Sequence, residues 1–262
     1  MDKLYLFKIG GKVVDKPEAL DAFLKGFAAI KEAKILVHGG GVIAEQLAER
    51  LDIPTQMVKG RRVTSLAMRD LVTMVYGGQL NKSLVAKLQQ LGCDAIGLTG
   101  ADARMIRSKK RDPEPIDYGY VGDVTEVRVD LLETFIGLGL TAVFAPLSYD
   151  EEILNTNADG IASALARGLS KRFDVTMLYG FEQAGVLVDV KDKDSLIERL
   201  DRPYYERLLG NGIITEGMLP KLEECFKARR DGVQTIVLAE AMACLAYAKG
   251  EAFRGTLIDP AD

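Results

Sequence analysis

The run Ile35-Leu36-Val37-His38-Gly39-Gly40-Gly41-Val42-Ile43-Ala44 reads as a buried strand that passes through three glycines into a helix. An apolar run of strand length ending in glycines delivers bare backbone N–H groups to a helix N-terminus, where an anion is favoured. Upstream, Leu4-Tyr5-Leu6-Phe7-Lys8-Ile9-Gly10-Gly11-Lys12 is a second strand that ends in a glycine pair, with a lysine inside an otherwise apolar run. That lysine is costly to bury unless a negative partner meets it. Two glycine turns and one inward-looking cation therefore suggest an anion between them.

Working outward, Asp15 and Pro17 read as an N-cap and a first-turn proline, and apolar residues from Leu20 to Ile30 recur at helical spacing. A helix from Val42 to Leu51 follows the glycine run, stopped by Ile53-Pro54. Strand, helix, strand, helix in this order predicts an α/β fold: a three-layer αβα sandwich around a mainly parallel sheet. Val58 to Thr64 reads as a hairpin or loop over the sheet's edge. Ser65 caps a long helix to Leu91, weakened by Gly77-Gly78. Ala95 to Gly100 is a buried strand, Arg104 to Val129 a long hairpin, Leu131 to Leu138 a helix and Thr141 to Ala145 a strand. Asn155, Asn157 and Asp159 crowd the start of a helix from Ile161 to Leu169, more polar side chains than capping needs. Val175 to Tyr179 is a strand ending at the turn Gly180 to Gly185, and Gly212 to Lys221 opens a helix that continues to about Arg230. A final strand, helix and strand close the chain. Two lobes of one continuous sheet, residues 1–172 and 173–262, are expected, with a soft boundary near Arg172.

With 262 residues the chain is long enough for a substantial core, and its net charge of −4 argues against nucleic acid as a principal partner. Arg104 to Arg111 holds five cations in eight residues, which reads as a solvated hairpin. Three widely spaced cysteines suggest neither a disulfide framework nor a zinc site, so a reducing cytoplasm fits. No membrane span is expected, because the most apolar later stretch, Leu131 to Leu147, is broken by Glu133, Gly137, Gly139 and Pro146.

Gly39 to Ala44 fits G-x-G-x-x-A, but a dinucleotide site wants an acidic residue some 20 positions on, where this chain has Arg61 and Arg62. No G-x-x-x-x-G-K-[ST] loop occurs. The distinguishing feature is five motifs in order: Lys8-Ile-Gly-Gly-Lys, His38-Gly-Gly-Gly, Gly60-Arg-Arg-Val-Thr, Asn155-Thr-Asn-Ala-Asp159 and Ile213-Ile-Thr-Glu-Gly-Met-Leu-Pro-Lys221. Together they resemble the amino acid kinase superfamily, and within it the members that phosphorylate the side-chain carboxylate of an N-acylated glutamate in arginine biosynthesis. The resemblance runs from the first strand to the closing Gly255-Thr256-Leu257-Ile258.

The resemblance implies that Lys8 and Lys221 stabilise the transferring phosphoryl group while Asp159 holds both ammonium groups. It puts Gly40, Gly41, Arg62 and Asn155 around the amino acid substrate, with Arg62 on the α-carboxylate. It assigns ATP to Gly10, Gly11, Gly180, Gly185, Ile213 and Thr215, with Mg2+ as the second cofactor and no metal-ligating protein residue. Relatives usually carry an aspartate in the turn after Tyr179, where this chain has Gly180-Phe181-Glu182-Gln183-Ala184-Gly185, one residue longer. The chemistry fits these residues, because a carboxylate acceptor is already ionised and needs charge neutralisation and alignment instead of a general base. His38 is left out of the catalytic set. Acetyl is the default acyl group and succinyl the alternative; a silent binding protein on the same fold is the reading from another class. Arginine-inhibited relatives carry an extra N-terminal helix for which residue 8 leaves no room, so a homodimer indifferent to arginine is expected.

Overall fold

A computed structural model describes residues 1–58, 61–214 and 218–259, the Lys12 side chain excepted. The elements run β1 (Lys3–Ile9), α1 (Gly11–Val14), α2 (Pro17–Ala28), β2 (Ala33–His38), α3 (Gly41–Arg50), β3 (Gln56–Val58), β4 (Arg61–Val63) and α4 (Leu66–Val72). A π-helical stretch, Thr73–Leu80, leads into α5 (Asn81–Gln90). Then come β5 (Ala95–Leu98), β6 (Ile106–Lys110), β7 (Gly122–Val127), α6 (Val129–Gly137), β8 (Thr141–Phe144), β9 (Leu147–Asp150), β10 (Glu152–Asn155) and α7 (Ala158–Leu169). The last third holds β11 (Asp174–Phe181), β12 (Val186–Leu187), β13 (Leu196–Ile197), β14 (Arg199–Leu200), α8 (Arg202–Gly210), α9 (Leu219–Arg230), β15 (Thr235–Glu240), α10 (Ala241–Ala248) and β16 (Gly255–Ile258).

One eight-stranded sheet in the order β14-β16-β15-β11-β1-β2-β8-β5 is the middle layer. It is parallel from β15 to β5, and β16 lies antiparallel to β15. Helices cover both faces, which is why its strands are apolar on both sides. The strand period of two sorts the residues: Leu4, Leu6, Ile35 and Val37 pack with Ile161, Leu165, Leu222 and Phe226 of α7 and α9. Tyr5, Phe7 and Leu36 pack on the opposite face with Phe23, Leu24 and Phe27 of α2 and with Leu245 of α10. Lys8 shares the face of Leu4 and Leu6 and so points toward α7. A smaller sheet, β10-β9-β6-β7, and the hairpin β3-β4 lie beside the C-terminal ends of the parallel strands, where open α/β sheets bind their ligands.

Ser65 caps α4 as expected, its hydroxyl accepting from the Met68 N–H at 3.2 Å. Gly77-Gly78 falls in the π-helical stretch, and a Cβ on Gly77 would touch Leu147 and Thr99 at 3.3 Å, so the close packing is with the chain's own sheet. The Arg104 to Val129 hairpin is present as β6 and β7, and its cations are largely spent: Arg107 pairs with Glu126 at 3.1 Å, and Arg111 pairs with Asp123. Two expectations are corrected. Asp15 does not cap α2, whose N-cap is Lys16 with no side-chain bond; it ends the short turn α1, and both its carboxylate oxygens are buried without a hydrogen-bond partner. Gly180 belongs to β11 and not to a turn, because pairing with β1 on one side and β15 on the other carries the strand on to Phe181.

Candidate active site

The strand-end turns after β1 and β2 lock together. The Gly39 N–H donates to the Ile9 carbonyl at 3.0 Å, and a Cβ on Gly39 would stand 3.1 Å from the Gly11 nitrogen, so a side chain there would press the two turns apart by a few tenths of an ångström. Gly41 begins α3, which leaves its N–H without an acceptor inside the helix. Beside these turns lies a cleft of about 320 Å³ lined by Gly40, Gly41, Arg62, Asn155, Asn157 and Asp159, among others. Pro220 lines it too, so the N-terminal ends of α3, α7 and α9 all open onto one space. Three positive dipole ends around one cleft favour an anionic ligand.

Asp159 sits in the first turn of α7, where the Asn157 side chain accepts its N–H at 2.8 Å. Its carboxylate collects both lysines: the Lys8 ammonium lies 2.7 Å from Oδ1, and Lys221 donates to Oδ2 at 2.7 Å. The three side chains are only 9%, 12% and 15% exposed for Lys8, Lys221 and Asp159. Burial alone would raise the Asp159 carboxyl, but the two ammonium groups outweigh it and hold the group well below the usual carboxylate range. For Lys8, burial lowers the pKa below 10.5, with Asp159 opposing and Lys221 adding to the fall. A cation in the first turn of α9 runs against the helix dipole, and Asp159 offsets it.

Arg62 on β4 is nearly buried, with Nη2 at 2.7 Å from Glu45 and 3.4 Å from the Gly41 carbonyl oxygen. Asn155, at the end of β10, donates to the Thr64 hydroxyl at 3.0 Å. The Gly10 N–H is spent on the Gly180 carbonyl at 3.2 Å, which stacks these two glycines at neighbouring strand ends. Gly185 lies apart from the cleft, where a Cβ would meet Thr256 and Leu196. Ile213 closes the turn after α8, its N–H donating to the Leu208 carbonyl at 3.0 Å. Thr215 lies outside the described residues. His38 is fully buried and neutral: Nδ1–H donates to the Gly39 carbonyl at 2.8 Å, Nε2 accepts from Asn81 at 3.3 Å, and burial pushes its pKa down to about 4.

Sequence reasoning missed the far wall of the cleft, which includes Met57, Tyr76, Arg111, Val124, Arg167 and Lys227. Arg111 was legible only as one of a run of surface cations, and nothing local says that β7 and α9 bring these residues to one cavity.

A cluster of one carboxylate and two buried ammonium groups, set among helix N-termini at the C-terminal edge of a parallel sheet, defines a site for transferring or holding a phosphoryl group. Residues 3–240 match the model of the amino acid kinase family, and the chain belongs to that family. It is 50% identical over 244 residues to the acetylglutamate kinase of Cytophaga hutchinsonii, covering 92% of either chain. To the acetylglutamate kinase of Parabacteroides distasonis it is 48% identical over 243 residues, 92% of this chain and 95% of that one. Among solved structures it is similar to a Streptococcus mutans protein, with a TM-score of 0.81 and 27% identity over 99% of both chains.

Proposed function

We propose that this protein is an ATP-dependent kinase that phosphorylates the side-chain carboxylate of N-acetyl-L-glutamate, giving an acyl phosphate and ADP in arginine biosynthesis. The observation that carries the reading is the shared Asp159 carboxylate, which holds two ammonium groups at the mouth of the glycine turns. A carboxylate oxygen of the substrate attacks the γ-phosphorus while the bond to the bridging oxygen of ADP breaks. No proton moves, so the neutral, buried His38 has no part in the step. Lys8 and Lys221 neutralise charge on the transferring group, and their common anion keeps them apart and aimed. Gly40, Gly41, Arg62 and Asn155 hold the amino acid, within residues 1–172. Residues 173–262 take the nucleotide, through Gly180, Gly185, Ile213 and Thr215, with Gly10 and Gly11 at the seam.

Among the described residues no group of three His, Cys, Asp or Glu gathers as a metal site. Mg2+ brought in with ATP would supply charge neutralisation for the phosphates, beside Lys8 and Lys221. No described helix is long and apolar enough to cross a membrane. The three cysteines are free and buried, and we place the enzyme in the cytoplasm, as a homodimer.

Arg61 and Lys227 line the cleft in addition to Arg62, more cations than one α-carboxylate uses, while Arg111 is already paired with Asp123. N-succinyl-L-glutamate, with its extra carboxylate, is therefore the second substrate to test. Rates with Mg-ATP are measured on acetylglutamate, succinylglutamate, glutamate, aspartate and carbamate, trapping acyl phosphate with hydroxylamine. Acetylglutamate is expected to give the highest kcat/KM. A preference for succinylglutamate by about tenfold or more would replace the acetyl assignment, and no product from any of them would favour a binding protein.

The lowered Lys8 pKa sets a pH dependence. Lys8 works as the ammonium form, so kcat/KM for the free enzyme should fall on the alkaline side with a midpoint below 10.5. Bound Mg-ATP sets negative charge beside Lys8 and favours its proton, so the same limb in kcat should move to higher pH. Asp159, held far below the usual carboxylate range, gives no limb above about pH 4. Paired pH profiles check this. Limbs that coincide at or above 10.5 would contradict it.

A further inference from the structure

Glu45 lies one turn into α3, past the glycine turn, and its carboxylate takes Nη2 of Arg62 at 2.7 Å. The two side chains differ in exposure, 7% for Arg62 and 48% for Glu45. Nη1 of Arg62 is buried and has no hydrogen-bond partner. A buried, unpaired N–H of a cation is costly unless a ligand meets it. Arg62 itself stands on β4, a three-residue strand paired with β3 outside the main sheet, and the Thr64 hydroxyl ties its carbonyl at 3.1 Å. A held backbone does not fix a side chain with this many rotatable bonds, so the guanidinium needs a partner of its own. A guanidinium is a rigid plane, so anchoring one terminal nitrogen fixes the direction of the other. Tyr76 lines the same cleft, and its hydroxyl interacts with the Arg62 guanidinium as a second, uncharged partner.

We propose that Glu45 is a positioning residue for substrate binding: by holding Nη2 it fixes the Arg62 guanidinium beside Gly40 and Gly41, where the α-carboxylate of the amino acid binds. The inference rests on the reading that Arg62 binds that carboxylate. It makes a prediction opposite in sign to plain electrostatics. Glu45 is an anion next to an anion's site, so as a charge alone its removal would tighten substrate binding. As an anchor, its removal frees the Arg62 side chain and weakens binding, because its ordering must then be met on each binding event.

The test is steady-state kinetics on Glu45→Ala and Glu45→Gln, each in the native and the Arg62→Ala background, with thermal melts. Glu45→Ala is expected to raise KM for acetylglutamate by about tenfold, with kcat and KM for ATP within about twofold of wild type. Glu45→Gln retains an acceptor oxygen for Nη2, so it should recover most of the loss and serves as the readout if the alanine variant does not fold. In the Arg62→Ala background neither change should add to KM. An unchanged or lowered KM in the native background, or a rise that persists without Arg62, would overturn the role of Glu45. If Arg62→Ala itself leaves KM at the wild-type value, the binding-site reading fails instead.

Discussion

Lys8→Ala and Lys221→Ala are each expected to lower kcat by roughly 10²–10³, the range for losing one preorganised donor to a developing charge. The reason is geometric: both ammonium groups are held on a single carboxylate at 2.7 Å in a site that admits little water. Charge on the oxygens of the phosphoryl group shifts as it moves from donor to acceptor, so each lysine favours the transition state over the bound substrates. KM values should move less than kcat. Lys221, on α9 in the half proposed to take the nucleotide, should affect KM for ATP more than Lys8 does. Asp159→Asn keeps the shape but leaves two cations without their common anion, and rate should fall while the protein still folds. Initial rates at saturating substrates, with melts alongside, measure all three.

Arg62→Ala is expected to raise KM for acetylglutamate roughly 10- to 150-fold, the equivalent of a charge-assisted hydrogen bond of about 1.5–3 kcal/mol. The step itself does not pass through Arg62, so kcat and KM for ATP should change little. Arg62→Lys should restore only part of the affinity, because a point charge cannot serve both Glu45 and the substrate as the planar fork does. Varying acetylglutamate at saturating ATP separates the two constants. A large loss of kcat with KM unchanged would move Arg62 from substrate binding to phosphoryl transfer.

The site's centre was legible because its parts announce themselves locally. Lys8 interrupts an apolar strand, Asp159 is one polar side chain too many at a helix start, and the glycines of 39–41 need no partner to be read. Their meeting depends on sheet order, and the parallel pairing of β1 with both β2 and β11 follows from the alternation of strands and helices. What failed depends on pairing that no local pattern encodes. Gly180 looks like a turn until β1 and β15 flank it, and the four-residue strands β9 and β10 are too short for their alternation to stand out. α8 was missed although its signals were present, with Asp201 capping the Tyr204 N–H at 2.7 Å and Pro203 in the first turn. The Arg62–Glu45 contact joins strand β4 to helix α3, and only the folded chain brings them together.

The central claim is that Lys8, Asp159 and Lys221 act as one electrostatic unit on the transferring phosphoryl group. A double-mutant cycle on kcat, with Lys8→Ala, Asp159→Asn and the pair combined, tests it most directly, with thermal melts as the folding control. If the residues act together, the combined variant should lose far less than the product of the separate losses, because the second change removes a partner whose work has already gone. Full additivity in a folded protein, or a Lys8→Ala enzyme within about threefold of wild-type kcat against the roughly 10²–10³ expected, would contradict the account.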